Sequence, residues 1–117
     1  MLGKVNLKAK ADSVGGLFDY LVVGKLNGHV LSVLQAENRT LDFHVHEESD
    51  ELFYCIEGDF AIELDDGIIA LSEGDLLIIP QGTRHRPICH GLVKCLLIER
   101  AGTLNAENTG GAYRAQA

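Results

Sequence analysis

The amino-acid sequence predicts an all-β domain, a sandwich or closed barrel. Roughly nine or ten short apolar runs, of four to eight residues, follow one another without a convincing helical period. Turn chemistry separates them at regular intervals. At 117 residues the chain has room for one core, since domains typically run to about 100–150 residues.

Taken in order, residues 1–21 mix Lys4, Lys8, Lys10 and Asp12 with apolar positions and break at Gly15-Gly16, the pattern of an N-terminal arm or edge strand. Residues 22–100 carry the strand pattern. LVV at 21–23 and HVLSVLQA at 29–36 flank Asn27-Gly28, a favoured hairpin dipeptide. Glu37 to Thr40 form a polar turn, LDFHVH at 41–46 is the next expected strand, EESD a loop, and ELFYCIE at 51–57 the strand after it. Gly58-Asp59 turns into FAIEL, and Asp65-Asp66-Gly67 into IIALS. LLIIP at 76–80, RPIC at 86–89 and LVKCLLIE at 92–99 complete the set. From residue 101 to 117 the composition shifts to glycine, asparagine and alanine, the mark of a C-terminal tail.

Charge and composition narrow the function. A formal net charge of −7 and a pI near 5.1 argue against nucleic acid or an anionic membrane as partner. No apolar run approaches the roughly 18 residues of a membrane span, and the alternating N-terminus lacks the apolar stretch of a secretory signal. Cys55, Cys89 and Cys95 are odd in number and form no paired motif, so a reduced, cytoplasmic protein is expected. The apolar fraction of 46% and the positive mean hydropathy of +0.08 are high for a small monomer. A homodimer is therefore expected, with the N-terminal arm, residues 4–23, contributing to it.

The chemistry gathers in residues 43–58, FHVHEESDELFYCIEG. Side chains two apart on a strand share a face, so His44 and His46 can reach one point if this segment is extended. On a helix they would diverge by about 200°. Glu51 follows at the start of the next strand, and His85 arrives from a second stretch, so three imidazoles and one carboxylate could surround one divalent metal ion. Zinc, iron, manganese and nickel all suit such donors.

As spacing, these stretches are H-x-H-x4-E-x6-G from His44 to Gly58 and G-x5-P-x-G-x2-H from Gly74 to His85. They resemble the two signature motifs of the cupin superfamily, and the short segments 23–27 and 101–105 are similar to small stand-alone cupins of the mannose-6-phosphate isomerase-like type. The resemblance implies a double-stranded β-helix (jelly-roll) barrel across residues 22–100, with His44, His46, Glu51 and His85 as metal ligands. Gly74, Pro80 and Gly82 shape the turn that delivers His85. Two positions depart from the motifs: Asn38 stands where the first usually opens with glycine, and Cys89 where the second often closes with asparagine. Asparagine tolerates the same left-handed backbone.

Strand alternation puts Phe53 and Cys55 on the face of Glu51, and Pro87 and Cys89 on that of His85, so these four are expected to line a largely apolar pocket. Asp42 shares the parity of His44 and is expected at the mouth, where it could orient a ligand imidazole. Arg84 and Arg86 are the candidates for an anion, but Arg86 has outward parity and no glycine-rich phosphate loop accompanies them. The leading expectation is a metal-dependent enzyme of oxygenase or isomerase type, acting on a small chelating molecule. A non-catalytic binding or sensing barrel and a barrel braced by a purely structural metal are the alternatives.

Overall fold

The computed structural model describes residues 2–102. Its element order is α1 (Leu7–Asp12), β1 (Leu21–Leu26), β2 (His29–Ala36), β3 (Arg39–Thr40), β4 (Glu51–Glu57), β5 (Asp59–Leu64), β6 (Gly67–Ser72), β7 (Leu76–Ile79), β8 (His85–Cys89) and β9 (Val93–Arg100). Among the described residues nine strands form two antiparallel sheets, of order β1-β2-β9-β4-β7 and β3-β8-β5-β6. This is the jelly-roll barrel of the sequence expectation.

Strand alternation builds the interior. In β4 the residues of one parity, Glu51, Phe53 and Cys55, are buried. They face Glu99, Leu97 and Cys95 of β9 in register. From the other sheet Phe60, Ile62, Leu71 and Cys89 complete the same core. All three cysteines are buried free thiols.

The helix α1 is the first departure from the sequence expectation, which placed an arm or edge strand there. Asn6 caps it, its side chain accepting from the Ala9 amide at 2.9 Å. Leu7 and Ala11, four residues apart, share one face and pack on Val33 and Leu96, on the outer side of the five-stranded sheet. Lys94 on that sheet pairs with Asp12 at 2.6 Å. Six residues are too few to display a helical period, and Lys8 and Lys10 imitate a strand alternation. The arm thus covers its own sheet.

The second departure concerns residues 41–46. Instead of a strand, they contribute one isolated bridge, His44 to His85, with the two backbones exchanging 3.0 Å hydrogen bonds. The turn expected at 37–40 also shortens, because Arg39 and Thr40 pair with Cys89 and Ile88. Asn38 takes the left-handed conformation, φ 49, that its motif position requires. Asn27 and Gly28 do the same, at φ 49 and φ 78, in the hairpin joining β1 and β2. At Gly58, φ 86, a Cβ would meet the Leu92 carbonyl oxygen at 2.5 Å. No side chain fits there. Of the expected C-terminal tail, 101–117, only residues 101 and 102 fall within the described residues.

Candidate metal centre

His44, His46, Glu51 and His85 each bring a donor atom to one place, and these atoms lie within 4.8 Å of one another. Their backbones come from different directions. His44 sits on the isolated bridge beside His85, which opens β8, while Glu51 opens β4. The intervening loop is held by short bonds. The Ser49 hydroxyl accepts from the Arg100 amide at 2.8 Å, Asp50 accepts from the Gln81 amide at 2.8 Å, and the Gly82 amide donates to the His46 carbonyl at 2.8 Å.

Hydrogen bonds decide which imidazole nitrogen is presented. His44 Nδ1 lies 2.9 Å from the Asp42 carbonyl oxygen, and His85 Nδ1 lies 2.8 Å from that of Thr83. A carbonyl only accepts, so both Nδ1 atoms carry hydrogen and each Nε2 offers its lone pair. His85 Nε2 is 2.7 Å from Glu51 Oε1. Two acceptors at that distance need a proton or a cation between them.

Burial sets the charges in the same sense. It holds the pKa of all three histidines below the ordinary imidazole value, His46 at about 4, so they are neutral at pH 7. Glu51 is pushed up by burial. The proton therefore belongs to Glu51 when nothing else occupies the site. His46 is 4% exposed, yet neither of its ring nitrogens has a hydrogen-bond partner among the described residues. An orphaned buried imidazole beside a protonated carboxyl fits a cation well. The cluster could hold a metal ion.

An apolar cavity of about 50 Å³ adjoins the donors. His44, His46 and Glu51 line one end, and Phe53, Leu97, Leu34, Pro87, Cys89 and Arg39 are among the other walls. Of the residues expected from strand parity, Phe53, Pro87 and Cys89 are in this lining. Cys89 presents a neutral thiol, since burial raises its pKa. Cys55 does not line the cavity: it is fully buried in the core beneath, with its thiol donating to the Gly58 carbonyl at 3.2 Å. Asp42 is also absent from the lining. Its side chain is exposed, and it orients His44 through its backbone carbonyl.

Residues 30–99 match the family model described as the cupin domain. The chain is a cupin. It is 38% identical over 84 residues to the uncharacterized protein YdbB of Bacillus subtilis, covering 69% of this chain and 72% of that protein. Protein SchB of Streptomyces halstedii is 28% identical over 97 residues, or 83% of this chain and 70% of that one. Among solved structures, a cupin-2 domain containing protein from Shewanella frigidimarina superposes with a TM-score of 0.77 at 26% identity, over 82% of this chain and 93% of that one. Protein NMB1881 from Neisseria meningitidis, at 23% identity, shares the fold with a TM-score of 0.74, over 85% of this chain and 100% of that one.

Three features of this cupin's site escape the motifs. Glu99 is 2% exposed, pairs in register with Glu51, and has both carboxyl oxygens without a hydrogen-bond partner among the described residues. Burial, and then the neighbouring Glu51 charge, push its pKa far up. Inward parity with Cys95 and Leu97 was available as a signal. Arg39, assigned to a turn, and Tyr20, assigned to the arm, both reach the cavity. Conversely, Arg84 and Arg86 lie away from it: both stack on Phe43, at 3.9 and 4.3 Å, while Arg84 pairs with Asp65 and Arg86 with Glu63.

Proposed function

We propose that His44, His46, Glu51 and His85 hold one divalent transition metal ion, and that this cupin is a metal-dependent enzyme of oxygenase or isomerase type acting on a small chelating molecule. The carrying observation is the convergence of four donors within 4.8 Å at the end of an apolar cavity. When bound, such an ion supplies Lewis acidity or, as iron, redox chemistry. The chain's own residues do the rest. Asp42 and Thr83 hold two imidazoles in the presenting tautomer, Glu51 exchanges its proton for the cation, and Phe53, Leu97 and Pro87 exclude water from the bound molecule.

A non-catalytic binding cupin is the second reading. It is favoured by the cavity lining, which among the described residues holds no carboxylate or imidazole beyond the proposed ligands to act as a separate general base. Elemental analysis of the purified protein, followed by reconstitution with Fe(II), Zn(II), Mn(II) or Ni(II), separates the readings. Oxygen uptake dependent on an added chelating substrate marks an oxygenase, and anaerobic turnover an isomerase. Binding without turnover for every metal supports the binding reading. Full metal content in a His44→Ala, His46→Ala double variant overturns the ligand assignment.

Two further parts of the proposal concern context. The three free, buried cysteines support a reducing, cytoplasmic setting. Ile68, Ile69, Leu76 and Ile78 are exposed on β6 and β7, each an edge strand of its sheet, which supports a homodimer. Among the described residues no helix is long and apolar enough to cross a membrane.

A further inference from the structure

His46 lines two spaces of opposite character. One is the apolar cavity of about 50 Å³. The other is a polar groove of about 340 Å³, whose walls also include Val45, Glu47, Glu48, Arg100 and Ala101. The chain ties these walls together. Ser49, next after Glu48, accepts from the Arg100 amide at 2.8 Å through its hydroxyl, so the loop and the end of β9 border the same groove. The Gly82 amide donates to the His46 carbonyl at 2.8 Å, and Glu47 Oε2 lies 3.7 Å from where a Cβ of Gly82 would stand.

The groove carries charge, and His46 carries an unmet need. Glu47 and Glu48 are exposed, whereas His46 is 4% exposed with neither ring nitrogen hydrogen-bonded among the described residues. Its Nε2 lies 3.6 Å from Glu51 Oε1, so this imidazole belongs to the ligand cluster and to the groove wall at once. An aqueous dication has to cross one of the two spaces to reach the cluster. A shell of six waters needs about 60–90 Å³ at about 10–15 Å³ per water, which the groove exceeds and the cavity falls short of. Entry through the cavity would also strip the ion against Phe53, Leu34 and Leu97, walls that offer nothing in place of its water.

We propose that the groove is the port through which a hydrated divalent metal ion enters, with Glu47 and Glu48 drawing it in and His46 taking it up as the first of the four ligands. This rests on the metal reading of His44, His46, Glu51 and His85. Carboxylates at the mouth of a cleft focus the field and raise the local concentration of a cation. The guanidinium of Arg100 in the same groove works against them, so the two kinds of charge should move the entry rate in opposite directions.

The test follows cobalt(II) binding to the metal-free, full-length protein by stopped-flow visible absorption at about 10 mM salt, where charges act over about 30 Å. The Glu47→Gln, Glu48→Gln double variant is expected to bind about fivefold more slowly or worse. Arg100→Gln should bind faster, and both differences should shrink at about 0.5 M salt. The control is Asp59→Asn, Glu73→Gln, which removes the same charge beside Cys55, at the other end of β4 from Glu51. Ala101→Trp fills the groove without changing charge. Because entry and exit share one route, it should slow both association and release into excess EDTA while leaving the equilibrium affinity unchanged. Unchanged rates in Ala101→Trp overturn the port, and equal slowing by the control pair overturns the part given to Glu47 and Glu48. A wild-type protein that takes up no cobalt overturns the metal reading and the port with it, whereas normal uptake at unaltered rates in every variant removes the port alone.

Discussion

Glu51 and Glu99 stand directly opposite each other on β4 and β9, both side chains inside the barrel and only 3% and 2% exposed. Two buried carboxyls in register cannot both be ionised without a large cost. Burial raises the pKa of each, so the metal-free fold carries protons there that an unfolded chain would release. The same protons govern stability and metal uptake.

Stability should fall as pH rises. A carboxyl whose folded pKa exceeds its unfolded value near 4.3 binds more protons in the folded state, so unfolding free energy declines from about pH 4.3 upward until the folded group ionises. Glu99→Gln removes one such group. Metal-free Glu99→Gln should exceed wild type by about 1–3 kcal/mol at neutral pH, with the gap widening from pH 5 to pH 8 in urea unfolding. A gap independent of pH would contradict this account.

Metal uptake should release about one proton per ion at pH 7. The histidines are already neutral, held so by burial, and only the proton between Glu51 and His85 has to leave. Calorimetric titration with Zn(II) in buffers of different ionisation enthalpy counts it directly. Release of three protons would mean that the imidazoles are charged in the free protein.

Gly58→Ala should destabilise the fold by more than about 1 kcal/mol, since the new methyl meets the Leu92 carbonyl oxygen at 2.5 Å and φ is 86. Thermal melting would show it. Gly67→Ala is the control, having nothing within 4 Å of its Cβ position; an equal loss there would remove the steric explanation.

The proposed homodimer has a surface that can be tested. Sedimentation at micromolar concentration should give twice the mass of 12.7 kDa, and Ile78→Lys, on the exposed edge strand β7, should shift the protein toward monomer. An unchanged dimer in Ile78→Lys would move the interface elsewhere. A wild-type monomer would leave those apolar side chains uncovered and the dimer reading without support.

Local spacing was enough to bring His44, His46, Glu51 and His85 forward from the sequence, and with them the fold. An extended chain gives residues two apart a common side whatever lies around them, and glycine or proline at turns has a steric meaning readable in place. Parity even carried Phe53, Pro87 and Cys89 to the cavity. Where the backbone left the extended form, at the Leu7–Asp12 helix and around Asp42, parity had nothing to say. Tertiary structure alone decided which distant groups meet. Glu99 lies 48 positions beyond Glu51, and only the antiparallel register of β4 and β9 makes them neighbours. Likewise Arg39 enters the cavity wall because two residues of a nominal turn pair with β8, and it is held there by Phe18, 21 positions earlier. Such meetings depend on sheet order and strand register, which are set by packing of the whole barrel.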